Sequence, residues 1–135
     1  MTEGRTIFLV DDDHDFLELE KSILESRGYR VIPFSDPQAA LAALNACAPQ
    51  ERPALVVTDL MMKALDSGFS FTRALKSDPR FSDIPVIIVT AVSSQKGFDF
   101  HPRTPADLAA MNAEAFFDKP VSPEALLAKV EELLK

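Results

Sequence analysis

The chain has 135 residues, 47% of them hydrophobic and 26% charged, enough for one domain to close a core without disulfides or a structural metal. Its formal charge of −7 argues against a nucleic-acid surface, which shows clustered Lys and Arg. The lone Cys47 can form no internal disulfide, and no window approaches the roughly 20 apolar residues that span a bilayer. With no apolar signal segment in Met1-Thr2-Glu3-Gly4-Arg5, the expectation is one cytoplasmic domain over residues 1–135, with no further domain, nucleic acid or membrane.

Apolar runs of strand length alternate with stretches of helical period, the pattern of repeated βα units in an α/β fold. Ile7 to Val10 predicts the first strand. Phe16, Leu17, Glu20, Ile23, Leu24 and Arg27 then map an apolar stripe with a charged flank, and Gly28 lies where a helix C-cap falls. Tyr29 to Phe34 reads as the second strand. Asp36-Pro37 is an N-cap followed by proline at the first helical position, opening an alanine-rich helix that reaches Cys47, itself read as a small buried core residue.

After a polar connection, Ala54 to Thr58 is the third strand, and Asp66 to Ser77 is a helix stopped before Pro79. Asp83 to Thr90 is the fourth strand and Ala113 to Phe117 a short fifth. Ser122-Pro123-Glu124 repeats the cap-and-proline start, and Leu126, Leu127, Val130, Leu133 and Leu134 supply the apolar face of a last helix. Between the fourth and fifth strands, Ser93 to Asp107 holds Gly97, Pro102 and Pro105, which break a continuous helix. Phe98 and Phe100 in that stretch suit either a mobile partner-binding loop or a cover over the sheet.

The carboxyl ends of parallel strands share one edge, where ligands bind. Here the first strand runs into Asp11-Asp12-Asp13, the third into Asp59, the fourth ends in Thr90, and the fifth leads to Asp118-Lys119. Carboxylates gathered at one point repel one another unless a cation neutralises them, and Mg²⁺, which prefers hard oxygen ligands, is the natural occupant. Consecutive acids also suit a solvated turn at a helix start. Asp59 is the sharper signal, because an aspartate ending a central apolar strand has little structural reason to be there and can act as nucleophile toward a phosphoryl group. The Thr90 hydroxyl and Lys119 ammonium suit phosphoryl oxygens, although Thr is an ordinary strand residue and Lys an ordinary solvated end.

Four segments carry a resemblance. Ile7-Phe8-Leu9-Val10-Asp11-Asp12-Asp13, Val56-Val57-Thr58-Asp59-Leu60-Met61-Met62, Val86-Ile87-Ile88-Val89-Thr90-Ala91 and Phe116-Phe117-Asp118-Lys119-Pro120 resemble the signature segments of bacterial response-regulator receiver domains. The resemblance implies a flavodoxin-like, doubly wound sheet of five parallel strands in the order 2-1-3-4-5. It also implies a phosphoacceptor switch of a two-component system, charged by a sensor histidine kinase or a phosphotransfer protein and signalling to a downstream protein, with phosphorylation-dependent dimerisation as one mode. By the same resemblance Asp59 is the phosphoacceptor, Asp12 a direct Mg²⁺ ligand, Asp11 a partner through metal-bound water, and Met61 a donor of its backbone carbonyl. Thr90 turns to the phosphoryl group, Lys119 pairs with it, and Phe116 stands at the switch-aromatic position or is an ordinary core residue.

The sequence departs from the family pattern at Lys63, where receivers usually carry proline, at the apolar Met61, and in the length between Thr90 and Lys119, which places extra residues where the family's fourth helix falls. His14 and His101 have no metal-like spacing. The expected role is a signalling switch that assists only its own phosphorylation and dephosphorylation rather than an enzyme. A receiver-like interaction module that no longer uses phosphate and a small Mg²⁺-dependent phosphohydrolase are the alternatives; the second would need a substrate-selecting cap for which no segment is evident.

Overall fold

The computed structural model describes residues 5–48, 51–59, 67–90, 113–118 and 121–134. Along the chain it places β1 (Thr6–Val10), α1 (His14–Glu25), β2 (Arg30–Phe34), α2 (Pro37–Ala46), β3 (Leu55–Thr58), α3 (Ser67–Ser77), β4 (Val86–Thr90), β5 (Ala115–Asp118) and α4 (Pro123–Leu133). The strands form one sheet in the order β2-β1-β3-β4-β5, with every neighbouring pair parallel. This is the expected order. Parallel neighbours need crossovers, and the α-helical crossovers cover both faces of the sheet, which is why the central strands are apolar throughout rather than alternating.

Successive residues of each strand point to opposite faces. Ile7, Leu9, Leu55, Val57, Ile87 and Val89 pack against Leu17, Leu24, Leu126 and Val130 of α1 and α4. On the other face, Phe8, Val10, Val56, Val86 and Ile88 meet Ala40 and Leu44 of α2 and Phe71 and Leu75 of α3. Glu20, which belongs by type to the charged flank of α1, is buried at 1% exposure, so the buried face includes one carboxylate.

Local rules explain the boundaries. Asp13, Asp36 and Ser122 cap the amino ends of α1, α2 and α4, each accepting backbone N–H groups of the first turn, and proline follows the cap in the last two. α1 ends at Glu25, and Gly28 takes the positive φ of 88° that turns the chain into β2. β4 begins at Val86 rather than at Asp83, because the Ile84 N–H donates to the Phe81 carbonyl at 3.0 Å in a turn and Pro85 has no N–H to give to a ladder. β5 runs two residues later than expected at its start and one later at its end. Cys47 is only partly buried, with its thiol donating to the Leu44 carbonyl at 3.2 Å; it sits beyond the last turn of α2 rather than in the core.

β2 is an outer strand, and it contains a proline. The Arg30 N–H donates to the Arg5 carbonyl at 2.8 Å and the Phe34 carbonyl accepts the Asp11 N–H at 3.0 Å, so the residues that bond β1 are the even-numbered ones. Pro33 therefore faces the open side, where its missing N–H breaks no ladder bond.

Candidate functional site: an acidic cluster at the carboxyl edge of the sheet

The backbone brings the acids together before any side chain acts. Val10 and Thr58 are register partners on adjacent strands, so Asp11 and Asp59 leave β1 and β3 side by side. The Asp59 N–H donates to the Val10 carbonyl and the Asp11 N–H to the Phe34 carbonyl, both at 3.0 Å. Asp11 and Asp59 are buried, at 1% and 5% exposure, and Asp12 is partly exposed beside them. One carboxylate oxygen from each of the three lies within 4.8 Å of the other two.

Asp13 has a different role. Its carboxylate accepts the N–H groups of Asp15 and Phe16 at 3.0 and 3.2 Å, satisfying donors that the first turn of α1 leaves orphaned. Its own N–H donates to Asp11 Oδ1 at 2.9 Å, which orients that carboxylate. The acidic run thus divides: Asp13 is the helix cap, and Asp11 and Asp12 belong to the cluster. Thr58, buried at 1% exposure, donates its hydroxyl to the Asp59 carbonyl at 3.0 Å. That bond, with the ladder bond to Val10, fixes the backbone of Asp59 from both sides. A hydroxyl residue closing an otherwise aliphatic strand is the sequence signal for Thr58.

Three hard oxygen donors converging at a partly exposed point make a donor set that suits Mg²⁺, which takes few carboxylates and keeps several waters. The ion would face ligands held at the edge where doubly wound folds bind theirs.

Thr90 closes β4 opposite Asp118 of β5, which brings that strand end to the same edge; its side chain lies outside the described residues. Met61, Lys63 and Lys119, residues 60–66 as a whole, and the segment Ser93 to Asp107 also lie outside them. Phe116 stands opposite Ile88 and packs, partly buried, against the cluster shared with α2 and α3.

Residues 7–131 match the response regulator receiver domain family. The transcriptional regulatory protein GltR of Pseudomonas aeruginosa is 33% identical over 135 residues, which cover 98% of this chain and 50% of that protein. The chain spans about half the length of the curated relatives it matches. Among solved structures, the receiver domain of a signal transduction histidine kinase from Syntrophus aciditrophicus superposes with a TM-score of 0.76 at 28% identity, covering 97% of this chain and 90% of that one. The receiver domain of the sensor histidine kinase PA1611 from Pseudomonas aeruginosa, which has a magnesium ion coordinated in its active-site cleft, shares the fold with a TM-score of 0.76 at 22% identity, covering 97% of this chain and 98% of that one. The chain belongs to the response regulator receiver domain family.

Proposed function

We propose that residues 1–135 act as a single receiver domain in which Asp59 accepts a phosphoryl group from a sensor histidine kinase or a phosphotransfer protein. The observation that carries this is the convergence of Asp11, Asp12 and Asp59 within 4.8 Å at the carboxyl edge of the sheet, with Asp59 buried at the end of β3. A carboxylate oxygen of Asp59 attacks phosphorus, the bond to the donor atom breaks, and that atom leaves with the electron pair and takes up a proton. The product is an acyl phosphate on Asp59. When bound, Mg²⁺ supplies positive charge that offsets both the acidic cluster and the incoming phosphoryl oxygens; Asp12 and Asp59 would hold it directly, Asp11 through water, and the Met61 carbonyl would complete the protein's share. Thr90 and Lys119 take the phosphoryl oxygens, and Phe116 follows the movement of Thr90, shifting a two-state equilibrium that a downstream protein reads.

On this reading the domain assists its own phosphorylation and dephosphorylation and turns over no external substrate. The phosphohydrolase reading would place its nucleophile in the first acidic run. There Asp11 accepts the Asp13 N–H, while Asp13 is committed to capping α1. Both features favour a metal-holding role over a nucleophile open to varied substrates. A cytoplasmic setting agrees with the finding that no helix among the described residues is long and apolar enough to cross a membrane.

Incubation with a small acyl phosphate and Mg²⁺ followed by intact-mass measurement tests the reading. One phosphoryl mass should appear on the wild-type chain and be absent from Asp59→Asn. An unmodified wild-type chain would favour an interaction module, and full modification of the variant would move the nucleophile elsewhere.

A further inference from the structure

At the amino end of the sheet, far from the acidic cluster along β4 and β5, the ladder is completed by a side chain. β5 starts only at Ala115, so no β5 carbonyl is available for the N–H of Val86, the first residue of β4. Glu114 fills the position: its Oε1 accepts the Val86 N–H at 2.7 Å, while its own N–H donates to the Val86 carbonyl at 2.8 Å. The carboxylate is in turn held by Lys76 in the last turn of α3, whose ammonium lies 3.2 Å from each of its oxygens. That ammonium also donates to the Ile84 carbonyl at 2.9 Å and lies 3.4 Å from the Ser82 carbonyl. One cation therefore gathers the end of α3, the turn before β4 and the start of β5.

The ion pair is 18% exposed on the Lys side and 38% on the Glu side, and a pair in that setting adds little stability by itself. Its geometry has another effect. α3 is the helix reached from the chain that follows Asp59, and β5 is the strand whose carboxyl end leads to Lys119. The two elements meet again at Lys76 and Glu114, on the side of the sheet opposite the acidic cluster. We propose that the Lys76–Glu114–Val86 clamp is the fixed end about which β5 pivots when Asp59 is phosphorylated, so that Glu114 and Lys76 are positioning residues of the switch. This rests on the phosphoacceptor reading above. A displacement at the carboxyl end of a strand tied at its amino end is a rotation, largest at Asp118 and smallest at Ala115. Without the anchor that Lys76 gives Glu114 on α3, the same pull slides the strand along its whole length and dissipates into the ladder.

Amide spectra of the wild type, Glu114→Gln and Lys76→Met, each before and after loading with a small acyl phosphate and Mg²⁺, test this directly. Glu114→Gln keeps an acceptor for Val86 and loses the charge; Lys76→Met keeps the aliphatic stem and the Glu114–Val86 bond. In the wild type, the phosphorylation-induced change should be about five-fold larger at Asp118 than at Ala115 and Val86, and in both variants that ratio should fall below about two. The Lys76→Met arm decides the matter should Glu114→Gln unfold. A gradient along β5 that is the same in variant and wild type, whatever happens to the melting temperature, would reduce the clamp to a structural staple and overturn the proposal. A wild-type chain that gains no phosphoryl mass would instead overturn the functional reading beneath it.

Discussion

Replacing Asp59 by asparagine should stabilise the protein in the absence of Mg²⁺. The three carboxylates of the cluster lie within 4.8 Å of one another; at an effective dielectric constant near 20, two unit charges at that distance repel by about 3.5 kcal/mol before ionic screening. Asp59→Asn removes two of the three pairs, about 7 kcal/mol at that separation before screening. Water and counterions reach the partly exposed Asp12, and the carboxylate loses whatever hydrogen bonds it accepts, so a net gain of about 2 kcal/mol is the working figure. For a chain of this length that is a rise of about 6 °C in melting temperature. Calorimetry at neutral pH, in low salt with a chelator, reads the gain. Repeating the scan with excess Mg²⁺ should close or reverse the gap, since the ion offsets in the wild type the repulsion that the variant lacks. The variant melting at or below the wild type without Mg²⁺, or a gap unchanged by Mg²⁺, would refute the electrostatic account.

Mg²⁺ should bind the wild type with an affinity on the order of millimolar, because the ion keeps most of its water and gains few protein ligands; Asp12→Ala should abolish saturable binding in a calorimetric titration, and equal affinity would remove Asp12 from the site. Lys119→Ala should fold normally and still accept phosphate on Asp59, yet its amide spectrum should respond far less to phosphorylation than that of the wild type. Burial, and after it the negative charge of Glu131, push the Tyr29 phenol above its ordinary range. A raised folded pKa means the native state keeps its proton longer than the unfolded chain, so the associated stability is complete below the unfolded value of about 10 and is lost as pH rises through the folded value. Tyr29→Phe should flatten that alkaline loss in pH-dependent denaturation. At neutral pH it should leave stability unchanged or higher by up to about 1 kcal/mol, because the buried hydroxyl finds no hydrogen-bond partner among the described residues.

The strands and the convergence of Asp11, Asp12 and Asp59 were legible because both follow from short-range rules, whereas the strand order was implied only by the family resemblance. Aliphatic runs bounded by caps and turns mark buried parallel strands, and a parallel sheet sends all its carboxyl ends to one edge. The residues that escaped are those whose role is set by distant partners. Glu20 fits the helical period by spacing, but only tertiary packing determines that its carboxylate is buried. Glu114 reads as an ordinary residue of the fifth strand until Val86, 28 positions earlier, needs an acceptor. The start of β4 was misplaced by three residues because Ile84 looks like a strand residue by type, whereas its N–H is already committed to Phe81. Asp13 was grouped with its acidic neighbours, although a cap is recognised by which N–H groups it meets, not by its charge.

Pro33 has a consequence beyond its own strand. Of the two outward-facing positions of β2, 31 and 33, only Val31 retains an N–H to offer. A neighbouring chain approaching that side would meet the Val31 and Pro33 carbonyls but a row of donors interrupted at Pro33, so pairing along the strand would be weakened. This insulates the domain from stacking edge to edge with other chains of its own kind, and it leaves recognition to side chains on the helical faces, where charge and shape can discriminate between partners. Pro33→Val would restore the donor and, with Ile32 already 38% exposed, open a continuous apolar margin to indiscriminate pairing.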